Sequence, residues 1–249
     1  MIVLIAVALA VAMGAGLQRI SGMGLGLITG PVLSLLLGPV VGVLMINVIA
    51  TVNAVFNTWG MRRDIDWSKF WPIAGALIIG VLPGVWVVSH VSTSALLIIV
   101  GALLLIALSV VTLGKRYVPQ IEGVVPAAAA GAVGGFMNTL AGVAGPAFTV
   151  YAHAARWPQR IYAATLQPLF FVAGALSFGA KELSGAADIS SINPWLWVAS
   201  FGGMLLGITA GKRLAPHVPS AKAYRIALGL AFFGGATTLV RGLAGLLYG

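Results

Sequence analysis

The chain alternates between long apolar runs and short polar interruptions over its whole length. Most of the apolar segments have the roughly 18 residues that an α-helix needs to cross a bilayer. Ten segments can be delimited, at about 2–18, 23–37, 40–59, 70–88, 95–113, 124–141, 143–155, 160–180, 194–211 and 224–247. The pattern predicts an all-α polytopic membrane protein with 8–10 helical segments, and a composition of 60% hydrophobic and 8% charged residues agrees with it.

The second half of the chain repeats the first. GMGLG at 22–26 aligns with GVAGP at 142–146, an offset of 120 residues, which makes Gln18 equivalent to Asn138. Farther along, the offset is 127 residues, and a row of glycines matches in order. The matched glycines are expected to be helix-packing positions: Gly75, Gly80 and Gly84 in the first half, and Gly202, Gly207 and Gly211 in the second.

Positive charge sets the orientation, because cytoplasmic loops of membrane proteins are enriched in lysine and arginine. If every segment crosses, twelve of the fourteen basic residues lie on one side, with only Lys181 and Arg241 on the other. If the first two segments of each half form a re-entrant hairpin, Arg19 moves to mid-membrane and the division is eleven to two. A third arrangement, with only the second segment re-entrant, divides the charges seven to seven and is rejected. The predicted cytoplasmic loops are 60–69, 114–123 and 212–223.

Both surviving arrangements make the two halves antiparallel and put both termini outside. This is the inverted-repeat plan of many secondary transporters. The sequence predicts an N-terminal repeat (1–113), a cytoplasmic linker (114–123) and a C-terminal inverted repeat (124–249) within one membrane domain. The apolar stretch at 1–16 lacks the basic residues and cleavage site of a secretory signal, so we expect it to be retained.

The aligned glycine-rich stretches predict breaks in the helices. Glycine destabilises a helix interior by about 1 kcal/mol, and proline is accepted in a first turn, so each stretch is a better helix start than a helix middle. A helix start presents unpaired N–H groups and the positive end of the helix dipole. Two such starts from antiparallel halves predict one midplane site for a small anion.

We therefore predict a substrate site made of the two breaks and the polar side chains beside them. Arg19 adds a permanent positive charge in the hairpin arrangement, whereas it is a cytoplasmic anchor if the first segment crosses fully. Asn47 and its equivalent Gln167 either line the site or hold helices together. The predicted substrate-binding residues are Gln18, Arg19, Ser21, Gly22, Gly24, Gly26, Asn47, Asn138, Thr139, Gly142, Gly145 and Gln167.

The position of the acidic residues favours an anionic substrate. All five fall in predicted loops: Asp64, Asp66, Glu122, Glu182 and Asp188. Cation carriers commonly use carboxylates within the membrane, and none is predicted there. The chain has no cysteine, nucleophile–base pair, metal cluster or phosphate loop, so we expect neither an enzyme nor a cofactor or metal.

The chain resembles the TauE/SafE sulfite-exporter family. The resemblance covers nearly all of the chain and is carried by the two glycine-rich breaks and by the stretch RRDIDWSKFWPIAGALIIG at 62–80. It implies export or uptake of a small sulfur-containing anion such as sulfite, thiosulfate, a sulfonate or sulfoacetate.

We expect a secondary transporter of the bacterial inner membrane that exports such an anion by alternating access. A passive anion channel and a membrane subunit of a larger complex are the alternatives. The expected partners are the anion and the lipid bilayer, without nucleic acid, and the sequence leaves open whether copies of the chain form a homo-oligomer.

Overall fold

The computed structural model describes residues 1–113 and 120–248, except for the side chain of Leu113. These ranges form ten α-helices: α1 (Ile2–Ser21), α2 (Leu25–Leu37), α3 (Pro39–Met61), α4 (Trp67–His90), α5 (Thr93–Leu113), α6 (Val124–Ala141), α7 (Gly145–Ala154), α8 (Gln159–Leu183), α9 (Pro194–Leu214) and α10 (Ser220–Leu247). Eight of them are long and apolar enough to cross a membrane, and α2 and α7 are shorter. The prediction of a multi-pass helical membrane protein is confirmed. Residues 114–119 of the predicted linker lie outside the described part.

Equivalent side chains start equivalent helices. The Asp66 carboxylate accepts the backbone N–H groups of Ser68 and Lys69 and so caps α4. Its counterpart at the offset of 127, Asn193, accepts the N–H of Trp195 and caps α9. Such caps satisfy N–H groups that have no partner within the helix. The repeat therefore extends to the hydrogen bonds that fix where its helices begin.

The two halves interlock rather than standing side by side. Helix α1 packs along α9, and its equivalent α6 packs along α4, so each half supplies a helix to the other. Helices α3 and α8 pair across the centre, and α5 pairs with α10. This exchange of equivalent contacts brings the breaks after α1 and α6 to the same place.

Glycines allow the closest of these helix contacts. A Cβ added at Gly207 of α9 would lie 2.2 Å from the Ala12 carbonyl oxygen of α1, and one added at Gly80 of α4 would meet the carbonyl oxygen of Ala132 of α6. The expected packing role fails for Gly75 and Gly202, where an added Cβ would meet nothing within 4 Å. Those two positions face away from neighbouring helices, because a shared spacing along the sequence does not fix the side of the helix that is covered.

Short helices α2 and α7 complete two hairpins. Helix α2 runs back along α1, and the Thr29 hydroxyl donates to the Ala10 carbonyl oxygen at 3.4 Å. The break before α2 lies beside Ala50, close to the middle of α3, and Gly145 lies beside Phe170, close to the middle of α8. Since α3 and α8 are full-length spans, both breaks lie midway along the long helices, as the hairpin arrangement predicts.

Several contacts bring the predicted cytoplasmic segments to one end of the bundle. Asp64, after α3, forms an ion pair with Arg160, at the start of α8, with an N–O distance of 2.8 Å. The N–H of Ile121 donates to the Ala154 carbonyl oxygen at the end of α7. We call this the basic end, because the charges after α3 and in the last turn of α9 also belong to it, and we call the opposite end the outer end.

Helix α8 is longer than the predicted segment 160–180 and continues to Leu183. The assignment of Lys181 to an outer loop was therefore wrong. Its side chain is 0% exposed within the last turns of α8, and Glu182 follows it in the same helix. A hydropathy pattern treats a charged residue as the end of a span, whereas this lysine faces the packed interior.

Candidate transport site

The first break is a turn of three residues between α1 and α2. Gly22 has φ of 89°, in the left-handed region, and its N–H donates to the Gln18 carbonyl oxygen at 2.8 Å. This closes α1 as a left-handed cap, for which glycine is the usual residue. The Ser21 hydroxyl donates to the Met23 carbonyl oxygen at 2.7 Å and holds the turn from within.

Two glutamines tie the first break to α8. The Gln18 Oε1 atom accepts the N–H of Leu25, the first residue of α2, at 3.2 Å. The Gln18 Nε2 atom donates to Gln167 Oε1 at 3.2 Å, and Gln167 Nε2 donates to the Gly22 carbonyl oxygen at 3.1 Å. All of these groups are buried, so the pair satisfies polar atoms that would otherwise be unpaired.

The second break has the same outline with different partners. Gly142 has φ of 69°, and its N–H donates to the Asn138 carbonyl oxygen at 2.8 Å. The Asn138 amide does not reach the start of α7. Its Nδ2 atom donates instead to Asn47 Oδ1 on α3 at 3.2 Å and to Ser177 Oγ on α8 at 3.1 Å. Thr139 Oγ1 lies 3.0 Å from the same Ser177 oxygen.

The two breaks lie against each other. A Cβ added at Gly26 would lie 2.2 Å from the Gly142 carbonyl oxygen, and one added at Gly145 would lie 2.8 Å from Met23 Cε. Between the breaks is a cavity of about 30 Å³, which has room for one or two water molecules. We call it the central cavity. The predicted site residues among those that line it are Gln18, Gly24, Gly26, Asn138, Gly142 and Gly145.

The electrostatics of the central cavity favour negative charge. It lies at the N-termini of α2 and α7, where the positive ends of two helix dipoles and unpaired N–H groups meet. The α7 cap residue, Ala144, has no side-chain acceptor, and in the described residues no side chain accepts an N–H of 143–147. The described residues hold no group of three His, Asp or Glu side chains suited to a metal ion.

The remaining predicted residues do not line the central cavity. Ser21, Gly22 and Gln167 shape the first break. Asn47 accepts a hydrogen bond from Asn138, and Thr139 contacts the Ser177 hydroxyl that Asn138 also reaches. The structure points Arg19 away from the central cavity, since its Nη1 atom donates to Asn57 Oδ1 at 3.3 Å. Asn57 lies near the C-terminal end of α3, so the guanidinium extends toward the basic end, as charged side chains near helix ends do.

A larger cavity of about 510 Å³ leads from the basic end to the first break. We call it the vestibule. Ser21 lines its inner part, and exposed Arg225 of α10 is among the residues at its rim. Tyr162 also lines it, and its hydroxyl donates to the Sδ atom of Met23 at 3.4 Å; Met23 borders the central cavity. Tyr162 and Met23 therefore separate the two cavities. Sequence reasoning missed Tyr162, because nothing in its neighbourhood distinguishes it from a packing tyrosine.

The fold and site define an inverted-repeat membrane protein in which two broken helices meet at the centre, the architecture of secondary transporters. The chain belongs to the sulfite exporter TauE/SafE family, whose family model matches residues 6–238. It is therefore a membrane transporter of the sulfite-exporter type. No curated protein and no solved structure matches the chain.

Proposed function

We propose that the protein exports a small sulfur-containing anion by alternating access, with the anion bound between the two breaks. The observation that carries the proposal is the convergence of two helix N-termini, from antiparallel halves, on the central cavity. Backbone N–H groups at helix starts bind oxyanions well, because several donors and the dipole act together. Glycines at the break allow a ligand to approach that backbone closely.

The distribution of acidic side chains supports an anion over a cation. Four of the five acids lie between the α-helices, and Glu182 lies at the last turn of α8, where its Oε1 atom accepts the N–H of Ile189 at 2.7 Å. A cation in the central cavity would therefore have no carboxylate beside it and would face two positive helix ends.

The two ends of the path support export. The vestibule opens at the basic end, which the positive-inside rule assigns to the cytoplasm. At the outer end the space beside Thr139 and Leu140 is closed and has no room for a water molecule. An anion in this conformation would enter from the cytoplasm and meet the Tyr162–Met23 partition before reaching the breaks.

The size of the central cavity requires movement during transport. About 30 Å³ does not hold an ion of four or more heavy atoms, so the breaks must separate to accept one. Met23 suits such a movement, because its unbranched thioether side chain changes rotamer easily. Opening at the vestibule and closure at the outer end, followed by the reverse, is the cycle that we propose.

Transport in proteoliposomes tests this proposal. Radiolabelled thiosulfate and sulfite are the probes, and Gly145→Leu is the variant, because Gly145 lies outside the left-handed region and a leucine side chain there would enter the cavity beside Met23. We expect flux to fall to background. Gly202→Leu is the matched control, since its added Cβ meets nothing within 4 Å, and it should transport normally.

Two results would overturn the proposal. One is normal flux through a well-folded Gly145→Leu protein, which would remove the breaks from the path. The other is the absence of flux and of thermal stabilisation for the wild-type protein with sulfite, thiosulfate and sulfoacetate, because a ligand that binds the folded state raises its apparent stability.

A further inference from the structure

Lys181 is a buried lysine. It lies near the outer end of α8, its side chain is 0% exposed, and its Nζ atom has no hydrogen-bond partner within the described part of the chain. The ion pairs found among the described residues do not include it. A buried ammonium that is neither paired nor hydrogen-bonded is among the most costly groups that a membrane protein can contain.

The surroundings of Lys181 offer no counter-charge. Its closed cavity is lined from α3, α4, α5 and α6 by Pro39, Val40, Val43, Val88, Leu96, Thr139 and Leu140. Helices α3 and α6 and the described side chains of α5 contain no titratable residue, and α4 contains only Lys69, at the basic end, and His90. His90 is exposed and its Nδ1 atom lies 2.8 Å from the Trp86 carbonyl oxygen. The neighbouring Glu182 is engaged by the N–H of Ile189.

A short chain of polar groups connects Lys181 to the central cavity. Ser177 precedes it by one helical turn and lies on the same face of α8. The Ser177 hydroxyl accepts a hydrogen bond from Asn138, which lines the central cavity, and contacts Thr139, which lines the space around Lys181. One turn of helix rises about 5.4 Å, so an anion that leaves the breaks toward the outer end meets this group next.

We propose that Lys181, with the hydroxyls of Thr139 and Ser177, forms a second binding position for the transported small anion on the outer side of the breaks. The position rests on the proposed function and extends it: the anion supplies the negative charge that the lysine lacks. The hydroxyls donate to its oxygens after turning from their present acceptors, which for Thr139 is the Gly135 carbonyl oxygen. The position fills when the outer end opens, since the space is closed in the present conformation. Because residues 1–113 and 120–248 provide no counter-ion for Lys181, its ammonium is available to the anion.

The experiment compares stability and flux in the same variants. Removing an unpaired buried charge should leave the fold intact or stabilise it, so Lys181→Met should melt at the wild-type temperature or above. Its thiosulfate flux in proteoliposomes should fall by on the order of tenfold, because a charge-assisted interaction with the anion is lost. Lys181→Arg should retain part of the flux. Lys212→Met, at an exposed lysine of α9, is the control and should keep both properties.

A chemical rescue separates charge from packing. The chain has no cysteine, so Lys181→Cys introduces a single thiol. Disulfide formation with aminoethyl methanethiosulfonate, which releases the sulfinate, places an ammonium near the original position. Flux of Lys181→Cys should be low and should rise after modification.

The outcomes distinguish this inference from the proposed function. Wild-type flux that is lost in Gly145→Leu but unchanged in Lys181→Met would overturn the second position and leave the central site standing. A lower melting temperature for Lys181→Met, or a loss of flux that neither arginine nor the aminoethyl group restores, would make the lysine structural and would also overturn it. The absence of anion flux through the wild-type protein would overturn the proposed function itself.

Discussion

The two breaks share one plan but direct their polar side chains differently. At the first, Gln18 accepts the N–H of Leu25 and so covers the start of α2. At the second, the equivalent Asn138 turns toward α3 and α8, and the start of α7 has only Ala144 as its cap. The difference shows that the two copies of the repeat need not use their polar side chains in the same way. Pro146, the second residue of α7, has no N–H, so the first three residues of each helix keep two free donors, and only the α2 start is also held by a side chain.

The breaks also face different ends of the path. The first borders the vestibule through Ser21, and the second leads toward the closed outer end through Thr139. An anion that passes between the two breaks would leave the residues around Ser21 and reach those around Thr139. Four changes test how far this asymmetry extends, from the largest expected effect to the smallest.

The amide network of the second break should be the most sensitive. Asn138→Leu leaves Asn47 Oδ1 buried without its donor, and we expect the free energy of unfolding to fall by about 1–3 kcal/mol. Chemical unfolding in detergent measures it. The double variant Asn47→Leu/Asn138→Leu should lose less than the sum of the two single variants, because it removes both partners. Strict additivity would show that the two amides do not act together.

Helix α1, which precedes the first break, packs closely against α9. A substitution at Gly207 of α9 should disturb this packing, whereas one at Gly202 should not. Gly207→Ala puts a methyl group into the Ala12 carbonyl of α1, and we expect a loss of about 1–3 kcal/mol in unfolding free energy. Gly202→Ala, with open space around it, should be neutral or stabilise by up to about 1 kcal/mol through helix propensity. Equal melting temperatures for the two variants would contradict the close approach of α1 and α9.

The two arginines nearest the first break should affect transport differently. Arg225 is exposed at the rim of the vestibule, so Arg225→Gln should lower thiosulfate flux severalfold at low salt and less at high salt, because exposed charges are screened. Arg19 is directed to Asn57, and Arg19→Gln should leave anion affinity unchanged in a calorimetric titration. A weaker anion affinity in Arg19→Gln would support the prediction from the sequence that Arg19 belongs to the substrate site.

The equivalent helix caps should give the smallest effects. Asp66→Ala and Asn193→Ala should each cost about 1 kcal/mol, since each removes a helix cap. Only the first should depend on pH. Hydrogen bonds from Lys69 and Ser68 lower the pKa of Asp66 to about 2, so its stabilisation is present above about pH 4 and is lost as pH falls toward 2. Melting temperatures between pH 6 and pH 3 compare the two. A parallel decline in wild type and Asp66→Ala would assign the pH dependence to other groups.

The sequence predicted the parts of the molecule that depend on local chemistry and on the repeat. Breaks in the helices at the two glycine-rich stretches are predicted from the sequence, and the offset of 120 residues makes Gln18 and Asn138 equivalent. Antiparallel halves made it reasonable to expect that the breaks meet. The role of the residues around them in binding stays a prediction.

Other features depend on the direction in which a side chain points or on the helix face that a neighbour covers. A single sequence does not specify either of them. Arg19 carries a long side chain, and only packing decides whether it turns to the break or to the end of α3. Lys181 was read as the end of a span, because a charge in a hydropathy profile gives no sign of the face on which it lies. Gly75 and Gly202 share the spacing of packing glycines, yet no neighbouring helix covers them.

The exchange of α1 and α6 between the halves has a consequence for how the protein is made. Helix α1 enters the membrane well before α9, the helix whose glycines fit its surface, has been synthesised. Until then the hairpin with the first break lacks the neighbour that fixes its position. During biogenesis, α1 therefore stays in the bilayer without its packing partner, and the proposed anion pathway forms only when synthesis of the second half is nearly complete.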